Sequence, residues 1–233
     1  MGRRRRARQL AFDFKEWGGA RAGAGRKPKG ERALVSHRRR EPLASRYPVH
    51  VTMRLREGLP NLRRSGEIRA VCDAFRTGAE RFGFRLNHYS VQTTHVHLIA
   101  EAPDRRALSR GLQGLAVRIA RRLNRTWERK GKVFADHYHD RILRSPKEVR
   151  NALCYVLHNW RRHGIFASGV DPCSSGRWFD GWREAKPVAL ANAFVVKART
   201  WLQTTGWRRW GLISLDEVPR GVGGGALRRP RRP

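Results

Sequence analysis

The sequence is short of acidic side chains. Its 233 residues include only 19 Asp and Glu against 51 Lys and Arg, which leaves a formal net charge of +32. A field of this size and sign favours a polyanion as partner, and nucleic acid is the densest polyanion in a cell. Acidic membrane lipid is the lesser alternative.

The sequence also lacks the long apolar run that a membrane span requires. No uninterrupted apolar stretch approaches 20 residues, and the basic residues 1–8 are not followed by the apolar segment of a secretion signal. These absences argue against a membrane partner and predict a cytoplasmic protein associated with the nucleoid.

Cysteine is scarce as well. Cys72, Cys154 and Cys173 are widely separated, and none of them belongs to a C-x-x-C pair. This usage excludes a disulfide framework and a zinc knuckle, and it predicts buried, reduced thiols.

Composition divides the chain into three parts. Residues 1–46 carry basic runs and a glycine-rich stretch with little periodic apolar content, which indicates a flexible basic arm. Residues 47–164 have regular apolar patterns and are expected to form the folded domain. Residues 165–233 form a tryptophan-rich extension with one further helical stretch near residues 187–203.

Apolar periodicity within the central part predicts four strands and three helices. Strands are expected from residue 47 and over 84–91, 95–100 and 132–143, and helices over 66–82, from a cap at Asp104, and from the capping box at Ser145 to near Gly164. Their order is strand, helix, strand, strand, helix, strand, helix. It predicts an α+β fold with a ferredoxin-like (RRM-like) antiparallel sheet and helices packed on it.

Two histidines carry the first sign of chemistry. His95 and His97 flank Val96 on the strand predicted over 95–100, where alternate side chains share one face. Both imidazoles can therefore reach one metal ion. Two histidine ligands alone leave such a site incomplete, and the pair is also compatible with two ordinary surface or partnered histidines.

The third predicted helix offers the missing groups. Tyr155 and Asn159 are four residues apart, so they are neighbours on one flank of that helix, beside its apolar stripe. A tyrosine hydroxyl and a carboxamide oxygen could approach the same ion from there.

The segments His95-Val-His-Leu-Ile99 and Tyr155-Val-Leu-His-Asn-Trp160 resemble the HUH single-tyrosine transposases, particularly the REP-associated tyrosine transposases. Connecting segments at residues 118–124, 131–134 and 138–140 also look like that family, so the resemblance covers residues 47–164 approximately. It implies a single-strand DNA endonuclease and strand transferase acting on hairpin or repeat-type DNA.

The resemblance also implies roles for individual residues. His95, His97 and Asn159 would hold magnesium or manganese, and Tyr155 would attack a phosphodiester to give a covalent 5′-phosphotyrosine intermediate. In some relatives the tyrosine helix serves a partner's histidines, whereas the REP-associated branch is thought of as monomeric. The oligomeric state stays open, with a monomer slightly favoured.

Basic residues outside this constellation are the candidate DNA contacts, because Lys and Arg neutralise phosphates. They lie in the arm and on the second predicted helix: Arg26, Lys27, Lys29, Arg118, Arg121, Arg122 and Arg125. The tryptophans of the extension could stack unpaired bases, although core packing suits most of them better.

Other histidines and two other functions compete with this interpretation. His137 and His139 form a second H-x-H pair, which we interpret as structural or as supporting the first pair, and His50 could border the site. A noncatalytic nucleic-acid-binding protein could keep the same scaffold. A metal-dependent hydrolase that activates water would need carboxylates near the histidines. Glu101 and Asp104 are the nearest in sequence, and they are expected to point elsewhere.

Overall fold

An antiparallel sheet of five strands organises the molecule. The structure, a computed structural model, describes residues 40–162 and 169–218. The strands are β1 (Val49–Arg54), β2 (Glu80–Arg81), β3 (Phe84–Val91), β4 (His95–Glu101) and β5 (His139–Ile142). Their spatial order is β2-β3-β4-β1-β5, and each neighbouring pair is antiparallel. The fold is therefore α+β and ferredoxin-like, as the sequence predicts.

Five helices accompany these strands in the described residues. They are α1 (Ser65–Gly78), α2 (Arg105–Thr126), α3 (Pro146–Leu157), α4 (Asn159–Arg162) and α5 (Trp201–Thr204). Short 3-10 helices lie at Ser175–Trp178, Leu190–Asn192 and Gly206–Trp210.

Both predicted helix caps are present. The Asp104 side chain accepts a hydrogen bond from the backbone N–H of Ala107 at 2.7 Å, which begins α2. Ser145 Oγ accepts one from Glu148 N–H at 3.2 Å, and Pro146 occupies the first turn of α3. Each cap satisfies a backbone donor that the helix itself leaves unpaired.

The two faces of the sheet carry two separate apolar clusters. On one face, α1 and α2 pack against apolar side chains that include Val51, Val96 and Leu98. On the other face, Ile99 packs with α3 and with residues of the C-terminal extension. The candidate histidines belong to this second face, because they alternate with Val96 and Leu98 along β4.

The first helix is shorter than its apolar pattern predicts. It ends at Gly78, and residues 80–81 pair with residues 84–85 as a tight hairpin. Phe82 and Gly83 both have positive φ, at 55° and 81°, and Phe82 is 62% exposed. The prediction of helix up to residue 82 was wrong because the hairpin's hydrogen bonds replace the last helical turn.

The predicted helix over residues 187–203 was also wrong. The segment contains one 3-10 turn and only the start of α5, and its middle lies extended beside β3. There Val196 N–H donates to Leu86 O at 2.9 Å, and Asn87 Nδ2 donates to Val196 O at 3.2 Å. Pairing with the edge of β3 satisfies these backbone groups better than a helix would.

Other parts of the described chain also pack on the core. Leu43 is buried, and Arg40 pairs with Asp140, so residues 40–46 lie against the sheet although their composition resembles that of the arm. The three cysteines are free and buried, as expected. No helix among the described residues is long and apolar enough to cross a membrane.

Two glycines of α2 give a matched test of the packing on the first face. A Cβ at Gly111 would lie 2.2 Å from Phe84 Cβ and Cγ, whereas a Cβ at Gly114 would meet only the mobile end of Arg118, at 3.0 Å. We expect Gly111→Ala to lower the free energy of unfolding by about 1–3 kcal/mol, because the helix must move off the sheet.

Gly114→Ala serves as the control, because it gains helix propensity of up to about 1 kcal/mol without a rigid clash. Urea denaturation followed by circular dichroism measures both variants. Equal stabilities for the two would contradict the close approach of α2 to β3.

Candidate active site

The two histidines of β4 lie side by side on the second face of the sheet. Their ring centroids are 4.7 Å apart, and the rings are nearly perpendicular, at 85°. His95 is 9% exposed and His97 4%. The alternation of a strand thus brings two imidazoles together in a largely desolvated position, as the sequence predicts.

Hydroxyl groups contact the Nδ1 atom of each histidine. Thr52 Oγ1 lies 3.0 Å from His97 Nδ1, and Thr94 Oγ1 lies 3.4 Å from His95 Nδ1. His50 Nε2 also lies 3.3 Å from His97 Nδ1. Such contacts hold the ring orientation and occupy Nδ1, so Nε2 is the nitrogen with which each ring would bind a metal ion.

Tyr155 lies directly over this group. Its ring centroid is 5.1 Å from that of His97 and 5.7 Å from that of His50, edge-on in both cases, and the side chain is half-buried. Helix α3 holds it there because Val149, Leu153 and Val156 are buried in the second apolar cluster. The structure therefore brings the predicted tyrosine and the predicted histidines together.

Asn159 follows Tyr155 by four residues and is 1% exposed. Its Oδ1 atom is buried and accepts no hydrogen bond from the described residues. A buried acceptor without a donor is costly, so this oxygen is suited to a cation. That Asn159 lies beside Tyr155, as the spacing of four residues suggests, stays a prediction.

The helix that carries these residues is interrupted, which the sequence did not predict. Helix α3 ends at Leu157, and His158 separates it from α4. His158 Nε2 contacts Leu215 O at 3.1 Å, its ring meets Trp182, and burial lowers the pKa of the imidazole. The backbone of His158, at φ −106° and ψ 11°, departs from helical geometry, so the helix does not run unbroken towards Gly164.

Two polar residues near the histidines were missed by the sequence interpretation. Thr52 pairs with His97 across β1 and β4. Gln92, which looked like part of a polar turn, is 1% exposed, and its Nε2 donates to Ser90 Oγ at 2.6 Å. Ser90 is the neighbour of His97 on β3. The alternation of β1 could have revealed Thr52, whereas nothing local distinguishes Gln92 from a surface glutamine.

His50 borders the site, as anticipated. Burial, together with the positive charge of Arg141, lowers the pKa of His50 to about 4. The ring is therefore neutral at pH 7, and it can stack on His97 without charge repulsion.

The carboxylates that a water-activating hydrolase would need are engaged elsewhere. Glu101 accepts hydrogen bonds from the backbone N–H groups of Arg199 and Thr200 and from Gln203 Nε2, between 2.8 and 3.1 Å. Asp104 caps α2. Within residues 40–162 and 169–218, no group of three or more His, Cys, Asp and Glu is arranged to hold a metal ion. The set discussed here has two histidines and an amide instead.

The predicted DNA-binding arginines do not lie beside the histidines. Arg118, Arg121, Arg122 and Arg125 are on α2, which packs on the opposite face of the sheet. Arg121 and Arg125 are exposed, whereas Arg118 and Arg122 are half-buried. The other three predicted contacts, Arg26, Lys27 and Lys29, lie outside the described residues.

The second histidine pair lies near the site but outside its buried part. Thr52 pairs with His139 on one side and with His97 on the other, so both histidines face the same way, two strand spacings or roughly 10 Å apart. His137 and His139 are both exposed.

Most tryptophans in the described part of the extension pack in the core, as expected. Trp178, Trp182 and Trp207 are each less than 10% exposed, whereas Trp201 and Trp210 are about half exposed.

Comparison with known proteins finds likenesses among solved structures. No protein-family model and no curated protein matches the chain. Among solved structures, the chain is similar to a REP-associated tyrosine transposase bound to a REP hairpin, at 18% identity and a TM-score of 0.49. The match covers 60% of this chain and 82% of that one. A likeness of this size does not assign a function, so the function has to come from the side chains themselves.

The free energy of unfolding should fall at acid pH because of His88, which lies on the same face of β3 as Ser90. Burial lowers the pKa of His88 to about 4, against the opposing effect of Asp180. The unfolded chain takes up this proton near pH 6.5, so protonation favours unfolding as the pH falls towards about 4. We expect this residue alone to cost about 2 kcal/mol of unfolding free energy between about pH 6.5 and about pH 4.5.

The measurement is urea denaturation across that pH range for the wild type and for His88→Leu. The variant should lose less stability on acidification, because the groups that titrate elsewhere are common to both proteins. Parallel pH profiles would show that His88 is not held neutral by the fold.

Proposed function

We propose that this chain is a metal-dependent endonuclease and strand transferase for single-stranded DNA, with Tyr155 as nucleophile. The observation that carries the proposal is the edge-on contact of the Tyr155 ring with His97, 5.1 Å between centroids, on the buried second face of the sheet. A core tyrosine needs no histidine pair beside it. A nucleophile that attacks a phosphodiester does need groups that neutralise the phosphate oxygens.

His95, His97 and the Oδ1 atom of Asn159 are the side chains that would hold the metal, magnesium or manganese. Two imidazoles and an amide oxygen leave coordination positions for phosphate oxygens and water. When bound, the metal supplies a positive charge that neutralises the phosphate and orients the leaving oxygen. Thr52 and Thr94 orient the two rings through their Nδ1 atoms.

The cleavage step balances without any further reactant. The Tyr155 phenolic oxygen forms a bond to phosphorus, and the bond between phosphorus and the 3′ oxygen breaks. The phenolic proton passes to solvent, and the departing 3′ oxygen takes up a proton as a free hydroxyl. The 5′ end of the cut strand is then joined to the protein as a phosphotyrosine.

The second step reverses the first with another strand. A 3′ hydroxyl attacks the phosphotyrosine, the Tyr155 oxygen leaves, and a new phosphodiester forms. One phosphoester bond is exchanged for another in each step, so the bond energy is kept for rejoining.

The end of the sheet at which β4 begins is the expected route of the DNA backbone. Leu62 N–H donates to Thr93 O, and Trp127 Nε1 donates to Glu67, so the end of α2 lies near the turn that precedes β4. Arg121 and Arg125 on the last turns of α2 can bind phosphates there. Arg54, exposed and paired with His95 across the strands, extends this basic surface towards the site.

A noncatalytic nucleic-acid-binding role is the alternative, and the net charge of +32 is equally compatible with it. Charge alone, however, gives no reason for the buried group formed by His50, His95, His97 and Tyr155. A hydrolase that uses water is disfavoured by the hydrogen bonds that engage Glu101 and Asp104.

Replacement of the nucleophile tests the proposal. With labelled, hairpin-bearing single-stranded DNA and magnesium, the wild type should form a denaturation-resistant protein–DNA adduct. Tyr155→Phe should lower adduct formation by on the order of 1,000-fold or more, because it removes the attacking oxygen and keeps the ring contact with His97.

Tyr138→Phe is the matched control. The Tyr138 hydroxyl contacts Ser109 of α2 at 2.9 Å, so its loss should leave the adduct intact. Adduct formation by Tyr155→Phe would exclude this nucleophile, and cleavage by the wild type without an adduct would identify water as the attacking group. Tight DNA binding without cleavage in any divalent metal would favour the noncatalytic alternative.

The role of the amide can be tested separately through metal affinity. Asn159→Ala should weaken Mn²⁺ binding by about tenfold or more, because one of three protein ligands is lost. Calorimetric titration with Mn²⁺ in the absence of DNA measures this effect without relying on activity.

Asn151→Ala, an exposed position on α3, controls for the general effect of removing an amide. Equal Mn²⁺ affinities for the two variants would remove Asn159 from the ligand set.

A further inference from the structure

A cavity of about 600 Å³ lies between β3 and the C-terminal extension, apart from the residues assigned to catalysis. This volume is in the range of small-molecule binding sites. One wall is formed by the β3 residues Asn87 and His88, and the extension forms the remainder.

Gln203 presents an unsatisfied acceptor at this cavity. Its Nε2 donates to Asn87 Oδ1 and to Glu101 Oε1, both at 2.9 Å. Because a carboxylate can only accept, this bond fixes the orientation of the amide. The Gln203 side chain is 5% exposed, and its Oε1 atom is buried and receives no hydrogen bond from the described residues.

His88 presents a second unsatisfied atom. Its Nδ1 is buried without a hydrogen-bond partner in the described part of the chain, and its ring meets the edge of Phe179 at 5.4 Å. A neutral imidazole nitrogen can donate or accept according to its tautomer. Two buried polar atoms that lack partners indicate a ligand with complementary hydrogen-bonding groups.

The remaining wall is apolar and aromatic, and its rim is basic. Trp178 and Phe179 line the interior, and the exposed Val188 and Leu190 stand at the mouth. Lys197 and Arg208 contribute positive charge, and Arg208 pairs at 2.8 Å with Asp180, which also lines the cavity. A planar heteroaromatic ring that carries a hydrogen-bond donor and is linked to phosphate fits each of these features, and a nucleobase in a strand is such a group.

The cavity is close enough to the histidines to hold the same strand. Ser90 faces His97 across β3 and β4, and His88 lies two residues further along on the same face. This diagonal position places the Cα atoms of His88 and His97 roughly 7–8 Å apart.

We propose that this cavity binds one unpaired nucleobase of the single strand, near the phosphodiester that is cut. The base would pack against Trp178 and donate a hydrogen bond to Gln203 Oε1. The inference rests on the proposed function, since it supplies base recognition for that site.

Obstruction of the cavity gives the test. Ala189 is exposed and lines the mouth, so Ala189→Trp should fill it. Ala191, two residues further on, is exposed and does not line the cavity, so Ala191→Trp is the matched control. The probes are oligo(dA) and oligo(dT), each compared with an abasic oligonucleotide of equal length and charge.

The readout is the ratio of affinities for the base-bearing and the abasic strands. This ratio should be about tenfold higher for the wild type and for Ala191→Trp than for Ala189→Trp. A tenfold difference corresponds to the stacking of one base. Affinity for the abasic strand should be the same in all three proteins. His88→Leu should lower the preference severalfold, which keeps the test decisive if the tryptophan variant does not fold.

An undiminished base preference in both Ala189→Trp and His88→Leu would overturn the inference. If free dAMP binds with micromolar affinity, as tightly as oligo(dA), the cavity binds a free nucleotide and not a base within a DNA strand, which would overturn the inference. All binding is measured in the Tyr155→Phe background, so it does not depend on cleavage. If the wild type forms the covalent adduct and the cavity variants keep their base preference, the proposed function stands and only this inference fails.

Discussion

The alternation of β4 sets the arrangement of the molecule, because this strand lies in the middle of the sheet and both of its faces are covered. Val96, Leu98 and Ala100 fill the core under α1 and α2, whereas His95, His97 and Glu101 point to the other side. Buried polar groups require partners. The threonines beside the histidines and the start of α5 beside Glu101 supply them, so the strand determines where the remaining chain must lie.

The C-terminal extension takes part in the same structure. Its buried Asp171 pairs with Arg63 at 2.7 Å, and its aromatic residues Phe179, Trp182 and Trp207 complete the cluster under α3. Residues far beyond the tyrosine in sequence therefore hold the tyrosine helix against the sheet. They also form most of the cavity beside β3.

The sequence predicted the sheet and the caps because these depend on short-range signals, whereas the grouping of Tyr155 with the two histidines was implied by the family resemblance. Apolar patterns identified β1, β3 and β4, whereas β2 was missed and the strand predicted over 132–143 is shorter, at His139–Ile142. Ser145 and Asp104 marked the helix starts, and the H-x-H spacing needed only the geometry of a strand. The errors have long-range causes. Residues 79–82 and 187–203 have helical patterns, yet β3 offers hydrogen bonds that override them. The burial of Gln92 likewise depends on contacts that no local pattern encodes.

The position of α3 between the sheet and the extension has a consequence for assembly. Exchange of this helix between two copies would require Val149, Leu153 and Val156 to leave a cluster closed by Phe179, Trp182 and Trp207. Exposure of even one large apolar side chain costs about 1.5–3 kcal/mol. Because the aromatic residues of the extension cover α3, exchange of the helix would also require the extension to separate from the sheet. The extension thus helps to hold the helix of Tyr155 against the sheet that carries the two histidines of the same chain.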